Sequence, residues 1–229
     1  MTEAVETRTG PLQDAASPRI LLVDDHDLFR TGLRNLLEEE GVAVVGEAAA
    51  GEEALRYVRE LQPDVVVMDL NMPGMSGVEA TKMIVAHAPL TRVLVLTISD
   101  QDADVMDAIF AGACGYMLKD ASIGDVMRGI NAAAVGESLI SPTIAGKVLE
   151  RVRAATASPQ AAEAIRAELS EREIDVLKLI ANGKDNAQIA ADLHISPKTV
   201  KNHISNILMK LQIENRIQAA VYAVRSGIV

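Results

Sequence analysis

Four short apolar runs, each ending in a side chain that can bind or carry charge, restrict the first half of this chain more than any other feature. Ile20-Leu21-Leu22-Val23 ends in Asp24-Asp25, Val65-Val66-Val67-Met68 in Asp69, Val93-Leu94-Val95-Leu96 in Thr97, and Gly115-Tyr116-Met117-Leu118 in Lys119. Strands are expected at 19–24, 42–47, 64–69, 92–97 and 114–118, alternating with helices at 27–39, 51–61, 77–87, 101–111 and 121–134. This alternation predicts a five-stranded parallel α/β sheet, doubly wound with helices on both faces. Val65 to Met68 is apolar at every position, as a strand buried on both faces should be. Open sheets of this class bind ligands at the carboxyl ends of their strands. Three carboxylates, a hydroxyl and an ammonium would meet there. Such a set suits a divalent cation and a phosphoryl group, with Asp69 as the acceptor.

At 229 residues the chain has room for two domains, and its 49% hydrophobic content is enough for real cores. Aromatics are only 2%, so aliphatic side chains must do the packing. No apolar run approaches the roughly 18 residues that span a bilayer, and the start does not read as a signal peptide. The single cysteine, Cys114, excludes an internal disulfide framework and fits a reducing cytoplasm, as small buried filler before a strand. The net charge of −10 argues at first against a nucleic-acid partner. It is unevenly spread, however. From Ser170 onward eight Lys/Arg face six Asp/Glu, and from Leu193 onward five face one, so residues 1 to 169 carry −12. An acidic front and a basic tail predict two domains with different partners.

Residues 1–17 read as a polar, disordered lead, and 18–137 form the α/β domain. The linker is 138–168, with a helix expected over 141–155 that starts at Ser141-Pro142. Residues 169–229 form a second, all-α domain. Ser170 with Glu173 is a capping box, and Ile174, Leu177, Leu179, Ile180 and Ala181 follow at helical spacing up to Asn182-Gly183. A short helix runs from Asn186 to Leu193, His194-Ile195 turns the chain, and Ser196-Pro197 opens a third helix to about Leu211. A fourth covers Arg216 to Arg225. Four short helices with a tight turn between the second and third describe a helix-turn-helix domain.

With those residues in order, the front of the chain resembles a response-regulator receiver domain of flavodoxin-like fold, and the last sixty residues resemble a LuxR-type helix-turn-helix. Together they are similar to the NarL/FixJ group of two-component response regulators. The resemblance implies a protein phosphorylated on Asp69 by a histidine kinase, which then dimerises and binds promoter DNA to regulate transcription. It is not an enzyme in the usual sense, although it would catalyse its own phosphorylation and dephosphorylation. Mg2+ (or Mn2+) would be held by Asp25 and Asp69 directly, by Asp24 mostly through water, and by the backbone carbonyl of Asn71. Lys119 would pair with phosphoryl oxygens or, before transfer, with Asp69. Thr97 would hydrogen-bond a phosphoryl oxygen, and its inward movement would open space for a switch aromatic, Tyr116. Receivers commonly follow this lysine with a proline in a cis peptide; here Asp120 follows, which removes the proline reason for a cis bond. Ser99, two residues past Thr97, is placed to influence phosphate loss.

In the third helix Val200, Ile204, Ile207 and Leu208 repeat at core spacing, which leaves Lys198, Lys201, Asn202 and Ser205 on the other side. By resemblance Lys198, Lys201 and Asn202 are base-reading candidates in double-stranded DNA, while Thr199, His203 and Lys210 are candidates for phosphate contact. Ala220, Val221 and Val224 on the last helix are candidates for a homodimer interface as well as for core cover. The acidic receiver could also shield the recognition helix before phosphorylation, and RNA polymerase would be a further partner at the promoter.

Blander readings stand beside these. A single Asp at a strand end is usually a turn residue, and it is the full set that argues for a site. Asn71-Met72-Pro73-Gly74 is turn chemistry whether or not it flanks a metal. Tyr116 could be a plain half-buried residue, His203 a packed one, and the polar helix face merely solvated. His26, His87 and His194 lack metal-ligand spacing and read as structural or surface groups. Other classes to weigh are a small-molecule-sensing LuxR-type regulator, a phosphatase or phosphotransferase with an Asp nucleophile, and a phosphorylation-independent DNA-binding regulator with a degenerate or ligand-responsive receiver.

Overall fold

The computed structural model describes residues 17–140, 144, 148 and 168–229. Nearly all of the lead at 1–17 therefore lies outside the described residues, as does most of the linker at 138–168. Of the helix expected at 141–155, only Ile144 and Val148 are described; both are helical and buried.

The front domain alternates as its apolar runs require: β1 (Arg19–Val23), α1 (Asp27–Glu39), β2 (Ala43–Ala48), α2 (Gly51–Leu61), β3 (Val65–Met68), α3 (Gly77–His87), β4 (Arg92–Thr97), α4 (Asp102–Phe110), β5 (Gly115–Leu118) and α5 (Ile123–Ala134). The strands pair in parallel in the order β2-β1-β3-β4-β5, with β6 (Leu139–Ile140) beyond β5. Successive side chains of a strand point to opposite faces, and β3 divides accordingly. Val65 and Val67 join Leu33 and Leu37 of α1 and Val126 and Ile130 of α5. Val66 and Met68 join Ala54, Leu55 and Val58 of α2 and Ala80 and Ile84 of α3 on the other face.

A sixth strand, β6 (Leu139–Ile140), was not expected. Two residues carry no periodicity to read. The strand forms because Leu139 and Ile140 sit in register with Gly115 and Tyr116 of β5. Gly115 allows this approach, since a Cβ there would meet the Leu139 carbonyl oxygen at 2.7 Å.

The second domain contains α6 (Glu171–Ala181), α7 (Asn186–Leu193), α8 (Pro197–Lys210) and α9 (Arg216–Arg225). Ser170 with Glu173 and Asp185 with Gln188 close full capping boxes, and Ser196 caps α8 with Pro197 in its first turn. His194 adopts a left-handed conformation, φ 53°, and ends α7. Val176, Leu177, Ile180, Ile189, Val200, Ile207, Ala219 and Ala223 form a separate core.

The domains meet along α4 and α9. Ile217 and Val221 of α9 share a cluster with Val105, Met106 and Ile109 of α4, Tyr116 of β5, and Ile144 and Val148. Among the described residues every peptide bond is trans, Lys119–Asp120 included.

Candidate functional site

The strand order reverses between β1 and β3, so the acidic ends of these two strands open into one crevice, as at other switch points in open sheets. The Asp69 amide donates to the Val23 carbonyl at 2.9 Å, which locks the two strand ends together. Asp24 and Asp69 are 5% and 2% exposed. Lys119 Nζ lies 2.6 Å from Asp24 Oδ2 and 2.7 Å from Asp69 Oδ2, so one ammonium bridges two buried carboxylates. Burial alone would lower the Lys119 pKa, but hydrogen bonds to Asp24 and Asp69 outweigh it and hold the group above its ordinary value. The Lys119 amide donates to the Thr97 carbonyl at 2.9 Å, which sets the ends of β4 and β5 side by side. Thr97 is fully buried at the pocket wall. The Lys119 ammonium also lies 4.6 Å from the centre of the Phe29 ring.

With Asp25, three carboxylates face one ammonium, and two net negative charges remain for a cation to offset. Ligand atoms of Asp24, Asp25, His26 and Asp69 all lie within 4.8 Å of one another. Asp25 Oδ1 is buried and has no hydrogen-bond partner among the described residues, which fits a position facing a cation. His26 stands in this cluster as a largely exposed side chain, which agrees with a surface group and also brings its ring beside Asp25. Asp24 and Asp25 are its neighbours in sequence, and only Asp69 is brought to it by the fold, from the end of β3. Asn71 is exposed in the loop after Asp69, and the contact tying it to the pocket is its amide, 3.4 Å from Asp69 Oδ1.

Two positioning residues escaped the sequence reading. Arg30 of α1 donates to the Asp24 carbonyl at 2.6 Å and pairs with Glu47 of β2, which anchors the acidic pair from behind. Gly77 opens α3 directly against the pocket floor. A Cβ there would collide with the Asp69 carbonyl oxygen, and its amide donates to the Leu70 carbonyl at 3.0 Å. A Ser-Gly pair at a helix start soon after an acidic strand end was the only available signal.

Tyr116 is fully buried, and its hydroxyl donates to the Ser99 carbonyl at 3.0 Å. The ring packs among Val95, Val105 and Ile109, so Tyr116 is fully rather than half buried. Burial, and then the nearby Asp104 charge, push its phenol pKa above the ordinary value. The Ser99 hydroxyl donates to Asp104 at the start of α4. Thr97, Ser99, Tyr116 and α4 are thus physically continuous. Burial pushes the Cys114 thiol up to about 12, which leaves it inert packing at the edge of β5.

On α8, Lys198, Lys201, Asn202 and Ser205 are exposed, while Thr199 and His203 are half-buried. The Thr199 hydroxyl shares a hydrogen bond with the Ser196 cap. Lys210 is committed within the domain, 2.7 Å from the buried carboxylate of Glu173. Lys201 and Ser205 line a cavity of about 270 Å3 whose far wall includes Arg92, Gly112 and Glu137 of the front domain. On α9, Val221 is buried and Val224 half-buried against the α4 cluster, while Ala220 packs on the core of its own domain. Part of the face considered for pairing two copies is therefore covered by α4 of the same chain. Asn215 Nδ2 donates to the Ala113 and Ile109 carbonyls at 3.0 and 3.4 Å, and Gln218 Nε2 donates to Ile109 at 2.8 Å. The Ile109 carbonyl, in the last turn of α4, also accepts from the Gly112 amide at 3.1 Å, and the second domain adds side-chain donors to it and to the Ala113 carbonyl. Glu137, Asn186 and Arg216 extend the polar seam, with contacts of 2.8 and 2.6 Å.

A family profile described as the response regulator receiver domain matches residues 20–131, and one described as bacterial regulatory proteins, luxR family, matches 167–223. The transcriptional regulatory protein LiaR of Bacillus subtilis (strain 168) is 44% identical over 212 residues, covering 92% of this chain and 99% of that protein. The response regulator protein VraR of Staphylococcus aureus is 40% identical over 216 residues, covering 92% and 98%. Among solved structures, the response regulator ChrA of a heme-sensing two-component system is similar with 36% identity and TM-score 0.51, over 93% of this chain and 99% of that one. The two-component response regulator RcsB in complex with DNA has 28% identity and TM-score 0.54, over 91% and 98%.

Proposed function

The chain belongs to the two-component response regulators that join a receiver domain to a LuxR-type DNA-binding domain, and on that premise we propose that Asp69 accepts a phosphoryl group from a histidine kinase and that the phosphorylated protein dimerises and binds promoter DNA. Response regulators of this architecture are in general transcription factors rather than enzymes. The observation that carries the reading is the Lys119 bridge between Asp24 and Asp69 at the strand switch point.

An Asp69 carboxylate oxygen attacks phosphorus, a P–O bond forms, and the P–N bond to the kinase imidazole breaks. Lys119 then moves from carboxylate to phosphoryl oxygen, and the Thr97 hydroxyl donates to another. A bound Mg2+, held by Asp25, Asp69 and, through water, Asp24, would offset charge on the phosphoryl oxygens. Water later cleaves the acyl phosphate and restores the carboxylate. Catalysis is positioning plus electrostatics.

The phosphoryl group carries about −1.5 to −2 charges beside Thr97, while the Asp69 carboxylate gives up its own negative charge on forming the acyl phosphate. A rearranged Thr97 pulls on the loop that carries Ser99, which the Ser99–Asp104 bond links to α4 and the Tyr116 hydroxyl links to β5. Movement of α4 would release α9 and open the cavity that Lys201 and Ser205 line, which frees α8, with the already exposed Lys198 and Asn202, to enter a DNA groove. RcsB is seen in the solved structures as dimers bound to DNA, which supports the dimeric reading for this chain. No helix among the described residues is long and apolar enough to cross a membrane; a cytoplasmic location is part of the proposal.

The test is acetyl phosphate with Mg2+ on wild type and Asp69→Asn, read by intact-protein mass and by selection of sites from genomic DNA. Phosphate-dependent enrichment lost in the variant is expected. The cavity between α8 and the receiver favours one other reading, a ligand-responsive regulator independent of phosphorylation. Identical site selection under every phosphorylation condition would select it.

A further inference from the structure

Among the described residues, one imidazole, that of His26, stands with the three carboxylates of the acidic cluster. His26 Nδ1 lies 2.8 Å from Asp25 Oδ1 and 3.3 Å from Asp24 Oδ1. The closer pair does not have hydrogen-bond geometry, since Asp25 Oδ1 is buried without a hydrogen-bond partner. The ring nitrogen and the carboxylate oxygen therefore stand at contact distance without hydrogen-bond geometry, and a shared cation would satisfy both. The His26 backbone is fixed, because its amide donates to Asp24 Oδ1 at 2.8 Å as the chain enters α1. The side chain is 62% exposed, so its second nitrogen reaches water without a desolvation penalty.

We infer that His26 is a fourth protein ligand of this pocket and biases it toward first-row transition ions over Mg2+. The inference rests on the reading of the pocket as a divalent-cation site. Mg2+ prefers oxygen ligands, keeps several waters and gains little from an imidazole. Co2+ and Ni2+ bind nitrogen donors more strongly, in the order expected for first-row ions. The cluster of three carboxylates and one imidazole therefore discriminates between ions by ligand type. The phosphoryl-transfer carboxylate sits in the same cluster, so the identity of the bound ion would tune the charge balance around Asp69.

Co2+ and Mg2+ are titrated separately into the full chain by calorimetry, and the visible absorption of Co2+ is followed for nitrogen coordination. Wild type, His26→Ala, His87→Ala and Asp69→Asn are compared. The expected result is a preference for Co2+ over Mg2+ that falls at least about ten-fold in His26→Ala, with a changed Co2+ spectrum, and persists in His87→Ala. Mg2+ binding by His26→Ala, lost in Asp69→Asn, reports that the pocket is intact. An equal Co2+/Mg2+ ratio in wild type and His26→Ala would overturn the inference and leave the Mg2+ site standing. Failure of wild type to bind either ion would overturn both.

Discussion

The Lys119 ammonium reaches Asp69 from a strand end fifty residues further along the chain and lies 2.7 Å from its Oδ2, with Asp24 at 2.6 Å on the other side. Removing the ammonium leaves two buried carboxylates facing each other. Lys119→Met should destabilise the receiver by about 3 kcal/mol without divalent cation, and saturating Mg2+ should recover part of the loss. Because the folded lysine is held above its ordinary value, its contribution is present at neutral pH and is lost only as pH rises through the folded pKa. Urea denaturation with and without Mg2+ tests this; equal stability of variant and wild type in chelator would refute it.

Gly77 contributes by what it lacks. A methyl group there would run into the Asp69 carbonyl, so Gly77→Ala must push α3 or the Asp69 loop outward. A loss of about 2 kcal/mol is expected, in the range for overpacked sites. Phosphorylation by acetyl phosphate should slow in parallel. A variant that keeps wild-type stability and labelling rate would show that the floor of the pocket can yield.

Glu173 ties the first and third helices of the DNA-binding domain, since it caps α6 and pairs with Lys210. Burial would raise its pKa, but the bonds from Lys210 and Ser170 outweigh burial and hold the carboxyl below its ordinary value. The stability it adds is therefore full above an unfolded value near 4.5 and disappears as pH falls through the lower folded value. Glu173→Gln should cost about 2 kcal/mol at pH 7 and progressively less below pH 4.5. Thermal melts across that range would show a pH-independent difference if the pairing contributes nothing.

Gln218 donates to the Ile109 carbonyl across the domain boundary. Loss of one buried neutral hydrogen bond costs about 1 kcal/mol, roughly five-fold in the balance between joined and separated domains. Gln218→Ala should raise the radius of gyration of the unphosphorylated protein and tighten its DNA binding by up to that factor. Small-angle scattering and fluorescence anisotropy on one DNA fragment check both; unchanged scattering would mean that the seam is held elsewhere.

The apolar runs determined much of this protein without reference to space. Helices α1, α2 and α3 fall at the expected residues because apolar spacing and the capping box at Ser76 and Glu79 are local signals. The same holds for the four helices of the second domain, where Ser170, Asp185, Ser196 and Asn215 each cap a helix with their own side chains. Asp24, Asp69, Thr97 and Lys119 could be selected as one set because parallel strands bring their carboxyl ends together whatever the loops between them do.

Only the tertiary structure decided what those residues touch. His26 near Asp69, Arg30 behind Asp24 and Gly77 beneath Asp69 depend on how α1 and α3 pack, and no spacing along the chain encodes a distance between different elements. The two-residue β6 depends on an open edge of β5. Lys210 could be read as a surface cation until folding placed it on Glu173. The α9 face could be read as a partner surface until α4 covered part of it. A sequence specifies which side chains are apolar or charged; which of several compatible partners each one meets is settled by the packing of whole elements, where burial of many contacts outweighs any single preference.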